Sequence, residues 1–196
     1  MLASARRRRF AKREVLFHEG DPATTLHLLD RGRVLARVTT PLGDVATLDV
    51  LVAGDVVGEM ALISGQTRRA ATVVALEYTE TLAIEQETFS TLCRDIPTIT
   101  RAVMQLLAGR IRQLDARLLE ALYVPVDARL FRRLLELTKT YGDVVPLTQE
   151  DLAGMAGTTR ATANRLLRKE EQSGSLALSR GQIRVLDRAS LVRRAR

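Results

Sequence analysis

The chain has 196 residues, enough for two small domains, and carries 30 basic against 23 acidic residues for a formal net charge of +7. Residues 127–196 hold 14 of the basic and 8 of the acidic residues, a net +6 that leaves +1 for residues 1–126, so a phosphate-bearing partner is expected at the carboxy-terminal end. One cysteine, Cys93, excludes an intrachain disulfide and a cysteine-built metal or iron–sulfur site, and two histidines, His18 and His27, leave no evident haem ligand or nucleophile–base pair.

The start, MLASARRRRF, lacks the apolar core of a signal peptide, and no apolar run approaches the roughly 18 residues of a membrane span, so a cytoplasmic protein is expected. Arg6–Arg9 has the charge to touch phosphates or anionic lipid, but a solvated, mobile terminus is the favoured reading. From Val15 to Glu85 short β-branched and aliphatic runs alternate with turns. Val15–His18, Leu26–Leu29, Val34–Thr39, Val45–Val50, Ala71–Ala75 and Glu80–Ile84 are the expected strands. Gly20-Asp21-Pro22, Arg31-Gly32-Arg33, Pro41-Leu42-Gly43-Asp44 and Ala53-Gly54-Asp55 are the turns between them, a spacing that suits an antiparallel barrel, sandwich or roll.

Gly58–Ala71, GEMALISGQTRRAA, interrupts this pattern. A carboxylate beside a glycine accepts hydrogen bonds from vicinal sugar hydroxyls while the backbone comes close, and an arginine before two alanines offers a guanidinium fork and exposed amides to a phosphate. The combination suits a sugar-phosphate ligand; a structural ion pair between Glu59 and an arginine accounts for the same residues. Gln86–Arg94 is a short helix ending before Pro97.

Thr98–Leu122 contains no proline and reads as a helix of about seven turns. Met104, Leu107, Ile111, Leu114, Leu118 and Ala121 recur at alternating steps of three and four, the seam of a two-stranded coiled coil, and a buried helix of a monomer shows a similar period. Val103, Leu106 and Leu119 form a second apolar face suited to packing on the β region. Tyr123–Asp127 breaks the helix where the charge balance changes, and Ala128–Tyr141 resumes it with Leu130, Phe131, Leu134, Leu135 and Leu137 inward.

Thr148–Lys169, TQEDLAGMAGTTRATANRLLRK, reads as two helices about a turn at Gly157. Leu152, Met155 and Ala156 face Ala163, Leu166 and Leu167, which leaves Arg160, Asn164, Arg165 and Arg168 outward. A helix-turn-helix entering a DNA major groove and a plain helical hairpin with a basic face both fit; the hydroxyls of Thr148, Thr159 and Thr162 favour DNA. Leu176–Leu178, a turn at Ser179–Gln182 and Ile183–Leu186 make a two-stranded wing with Arg180 at its tip, and Asp187–Arg196 is a terminal helix or tail.

Gly20-Asp21, Gly32, Gly54-Asp55, GEMALISGQTRRAA and TQEDLAGMAGTTRATANRLLR, in this order, resemble the Crp/Fnr family of bacterial transcription regulators over essentially the whole chain. The resemblance implies an α+β fold with an amino-terminal cyclic-nucleotide-binding β-roll (1–97), a long central dimerisation helix and hinge (98–126) and a carboxy-terminal winged helix-turn-helix (127–196). It implies that Gly58, Glu59, Arg69 and the amides of Ala70 and Ala71 hold cyclic AMP or another cyclic nucleotide. Members that bind cyclic AMP read its adenine with hydroxyl residues on the central helix; here Leu114 and Asp115 stand in their place, and only Asp115 can accept a hydrogen bond.

In the reader, the resemblance assigns DNA phosphates to Thr148, Thr159 and Thr162 and guanine edges to Arg160 and Arg165. Ala161 replaces a glutamate with which family members accept from cytosine, so a different operator is expected, with Asn164, Arg168 and Arg180 as further DNA contacts. The expected protein is a homodimeric, sequence-specific transcription regulator rather than an enzyme. Its expected partners are a near-palindromic duplex and RNA polymerase, with no membrane, metal, iron–sulfur or haem group. A ligand-independent or architectural DNA binder with a degenerate pocket is the alternative.

Overall fold

A computed structural model describes residues 5–41, 43 and 45–195, so Leu42 and Asp44 of the expected turn at 41–44 and the terminal Arg196 lie outside the described residues. The chain divides into two compact units, Met1–Val38 with Asp49–Leu114, and Thr39–Leu48 with Asp115–Arg196. The architecture is α+β: a β-roll, long central helices and a helical carboxy-terminal region.

The roll comprises β1 (Arg6–Phe10), β2 (Val15–Phe17), β3 (Thr25–Arg31), β4 (Arg33–Thr39), β5 (Val45–Val52), β6 (Val56–Val57), α1 (Glu59–Ser64), β7 (Thr72–Ala75) and β8 (Thr79–Glu85), followed by α2 (Gln86–Asp95). Two four-stranded sheets run in the orders β1-β8-β3-β6 and β2-β7-β4-β5. Leu29, Val34, Leu51, Val57 and Val73 are buried together, with Leu16, Phe17 and Ala36 packed against them. Each such side chain removed from water contributes about 1.5–3 kcal/mol before entropy is counted.

Arg6–Arg9, expected as a mobile terminus, is instead a strand antiparallel to β8, from Arg6 opposite Ala83 to Phe10 opposite Thr79. Phe10 anchors it at 4% exposure, Arg7 meets Asp30 and Glu80 at 2.6 Å each, and the pairing covers an edge that β8 would otherwise leave open. Four consecutive arginines therefore enter a sheet because one face finds carboxylates and the last residue is aromatic.

The central helix α3 (Pro97–Tyr123) leaves Met104, Ile111, Leu114, Leu118 and Leu122 between 58% and 65% exposed. Leu119, expected on the second apolar face with the half-buried Val103 and Leu106, is also 58% exposed and lies one helical step from Leu122.

The second unit contains α4 (Val126–Tyr141), β9 (Val144–Val145), α5 (Gln149–Ala156), α6 (Arg160–Gln172), β10 (Leu176–Ser179), β11 (Gln182–Val185) and α7 (Arg188–Arg194). Strands β10, β11 and β9 form a three-stranded antiparallel sheet in that order. Leu130, Leu134, Leu147, Leu152, Leu167, Leu176, Ile183 and Leu191 are all under 2% exposed, so α4, α5, α6, α7 and the small sheet share one core. The hairpin tip 39–48 also belongs here: Arg117 donates to the carbonyl of Leu48, and α5 abuts Val45 and Thr47.

Candidate ligand cassette and nucleic-acid interface

The cassette begins where β6 turns into α1. Gly58 has φ 82°, a left-handed conformation that favours glycine, and a Cβ there would stand 2.3 Å from the Arg69 guanidinium. This close approach brings Gly58, Glu59 and Arg69 together. Glu59 is 3% and Arg69 5% exposed. Ala70 is exposed and Ala71 half-buried.

Both charges have internal partners. Arg69 donates through one terminal nitrogen to the Gly58 carbonyl (3.1 Å) and through the other to Thr25 Oγ1 (3.0 Å), and its guanidinium lies 4.2 Å from the centroid of the Phe17 ring. Its Nε is buried without a hydrogen-bond partner, and burial lowers its pKa against the opposing pull of Asp21. Glu59 is ion-paired to Arg110 of α3, which also donates to the Val56 carbonyl at 2.9 Å. Burial lowers the pKa of Arg110 as well, while Asp49 and Asp55 oppose it.

Arg110, Thr25 and Phe17 did not emerge from the sequence pattern as cassette residues. Arg110 resembles the other charged residues flanking the apolar seam, and only the rotation of α3 reveals which of them faces Glu59. Leu114 and Asp115 are both exposed, and Asp115 falls in the second unit.

In the reader, Gly157 closes α5 at φ 61°, the left-handed turn that lets α6 depart at an angle. Thr148 caps α5 by accepting from the Asp151 amide (3.1 Å), while its own hydroxyl donates to Asp151 Oδ2 (2.6 Å). Thr159 caps α6 in the same way, accepting from the Thr162 amide and donating to Thr162 Oγ1. These hydroxyls secure the starts of the two helices. On α6, Ala163, Leu167 and Glu170 are buried, which turns Arg160, Ala161, Arg165 and Arg168 to solvent. Arg160 and Arg165 make no ion pair among the described residues, whereas Arg168 is paired with Glu171 at 2.6 Å and Asn164 donates to Gln149 Oε1 at 2.6 Å. Arg180 is exposed between β10 and β11.

A Crp-like helix-turn-helix domain model matches residues 128–194, and a cyclic nucleotide-binding domain model matches residues 7–95. The chain is 31% identical to a cyclic AMP receptor protein of Thermus thermophilus over 97% of its own length and 88% of that protein. It belongs to the Crp/Fnr family. A solved c-di-GMP-responsive global regulator of Xanthomonas campestris is 25% identical, superposes with a TM-score of 0.82 and is covered over 95% of its length by 94% of this chain. The Thermus thermophilus catabolite activator protein is 31% identical with a TM-score of 0.56, at 99% and 91% coverage.

As a Crp/Fnr member the protein is a DNA-binding transcription regulator and not an enzyme. No helix among the described residues is long and apolar enough to cross a membrane, and no group of three or more His, Cys, Asp or Glu residues there is placed to hold a metal.

Proposed function

We propose that this regulator acts as a homodimer on a near-palindromic operator, and that a cyclic nucleotide bound at Gly58, Glu59 and Arg69 shifts its DNA affinity. The exposed stripe of Met104, Ile111, Leu114 and Leu118 carries the reading, because an apolar seam at heptad spacing on one face of a long helix requires a partner. A second copy supplies the same seam, and twofold symmetry then places two copies of α6 on half-sites roughly 34 Å apart. Arg160 and Arg165 read base edges, Thr148, Thr159, Thr162, Asn164, Arg168 and Arg180 engage the backbone or neighbouring bases, and RNA polymerase is the onward partner in the cytoplasm. The functional division is sensor 1–97, dimer helix and hinge 98–126, and reader 127–196.

The cassette residues fit a cyclic nucleotide: a buried carboxylate for the ribose hydroxyl, a buried guanidinium with one unsatisfied N–H for the cyclic phosphate, and a glycine that admits the backbone. A ribose hydroxyl donating to Glu59 competes with Arg110, so occupancy is felt on α3. With Leu114 and Asp115 in place of hydroxyl residues, base selectivity differs from that of cyclic AMP readers. The internal pairing of Glu59 with Arg110, and of Arg69 with Thr25 and Gly58, favours a second reading in which the roll is complete without ligand and the protein binds DNA constitutively.

Calorimetry with cyclic AMP and cyclic GMP, alongside Arg69→Ala, and operator gel shifts with and without nucleotide separate the two readings. Heat that is lost in Arg69→Ala, together with a nucleotide-dependent shift, supports regulation. Absence of heat and equal shifts would leave the ligand-independent regulator.

A further inference from the structure

β1 presents two unlike faces. Arg7 and Arg9 on one side pair with Asp30 and Glu80. Arg6 and Arg8 on the other have no ion-pair partner among the described residues, and both line a cavity of about 290 Å³ in the roll together with Arg69, His27, Thr25 and Phe17. Asp21 and Glu85 also line it, so three arginines against two carboxylates give the wall a net formal charge of +1. The Asp21 carboxylate already accepts from the His18 amide at 2.7 Å.

We infer that this cavity is an anion site for a compact phosphate group, either free or as the monoester of a small molecule. Its volume of about 290 Å³ falls just short of the roughly 300–1,000 Å³ typical of ligand pockets, which suits a phosphate with a few attached carbons. Arg6 and Arg8 bring two guanidinium forks without an ion-pair partner among the described residues, and Arg69, whose terminal nitrogens already donate to Gly58 and Thr25, adds its charge; the three terminal oxygens of a phosphate monoester match this set better than the two of a carboxylate. The Thr25 hydroxyl adds a donor. Gly58, Glu59, Ala70 and Ala71 do not line the cavity, so it meets the cassette only at Arg69. On the proposed cassette reading, an occupant here draws on the cation that a nucleotide phosphate needs, and the two ligands antagonise each other.

The test is isothermal titration of the full chain with sodium phosphate and, separately, glycerol 3-phosphate, each against a sodium chloride blank of equal ionic strength. Binding of either sustains the site, and the tighter of the two identifies the form it takes. Arg6→Gln/Arg8→Gln, checked for folding by circular dichroism, is expected to bind at least about tenfold more weakly, since each lost charged hydrogen bond is worth about a factor of ten or more. Arg8→Lys, which keeps the charge and loses the fork, is expected to weaken binding less. A phosphate isotherm that Arg6→Gln/Arg8→Gln leaves unchanged would assign the anion to Arg69 of the cassette alone, which keeps the two sites distinguishable. Heat no greater than the chloride blank, equal affinity in the double glutamine variant, or loss of binding in Arg165→Gln overturns the inference.

Discussion

The backbone nitrogen of Thr47 lies 2.8 Å from the point where a Cβ on Gly154 would stand. The Val45 carbonyl is also 2.8 Å from that point and Thr47 Oγ1 2.9 Å, so the hairpin tip rests on bare backbone of α5. Gly154→Ala would gain about 1 kcal/mol of helix propensity. It would also overlap two main-chain atoms that cannot rotate aside, a clash of about 1–3 kcal/mol if the contact is kept. The cheaper response is release of the hairpin. Gly154→Ala is expected to raise hydrogen exchange at Val45–Thr47 while the thermal midpoint moves little; unchanged exchange there would show that the tip is not held by this approach.

Arg129 performs a different kind of fastening. Its guanidinium donates to the carbonyls of Ala121 (3.1 Å) and Val124 (3.0 Å) at the end of α3, and to those of Ala156 (3.0 Å) and Gly157 (3.3 Å) at the end of α5. Carbonyls at helix carboxy-termini lack intrahelical partners and carry partial negative charge, so one planar cation satisfies two helix ends together. Arg129→Ala is expected to lower stability by about 2 kcal/mol in urea unfolding, part of the loss being softened by the group's partial exposure. Arg129→Lys should recover less than half, because a single ammonium cannot span both ends. Full recovery with lysine would reduce the role to simple charge.

Stability should fall on acidification through His27. The ring is 6% exposed, packed against Phe10 and Phe17, and within 3.0 Å of Thr81 Oγ1. Burial, then Arg69 and Arg8, lower its pKa from 6.5 to about 4. The folded state thus holds the neutral form, and its contribution is full above pH 6.5 and lost as pH falls towards 4. The shift corresponds to roughly 3 kcal/mol across that window. Glu80 and Glu171, held below the usual carboxylate range chiefly by Tyr78 and by the Leu178 amide, also lose stabilising bonds in acid. The informative quantity is therefore the difference between the native chain and His27→Gln in chemical denaturation from pH 7 to 4.5. Parallel curves would exclude His27 as the titrating group.

The strands and the helix-turn-helix were legible because each is specified locally: alternation and turn residues for the roll, and Thr148 and Thr159 as caps around Gly157; the left-handed turn at Gly58 was marked by its glycine in the same way. What escaped depends on distant partners. Arg6–Arg9 is strand only because β8 offers an edge and Glu80 a counter-charge. Arg110 joins the cassette only through the rotation of α3, and the seat of the hairpin tip on Gly154 pairs residues more than a hundred positions apart. Leu119 shows the converse limit, since the helical period permits either face and tertiary context decides.

The seam on α3 yields a test of assembly that leaves the single chain intact. Leu114 and Leu118 are 60% and 58% exposed, so Leu114→Ser/Leu118→Ser should change the stability of one chain by no more than about 0.5–1 kcal/mol. In a twofold dimer four leucines are lost at once. Even at a conservative 1 kcal/mol each, association weakens by about 4 kcal/mol, roughly a thousandfold. Light scattering at micromolar concentration is expected to report the mass of one chain in place of two. Affinity for a full operator should fall steeply while that for an isolated half-site stays constant, because α6 and its arginines are untouched. A variant that keeps the mass of two chains would place the dimer contact elsewhere and leave the exposed leucines without a partner.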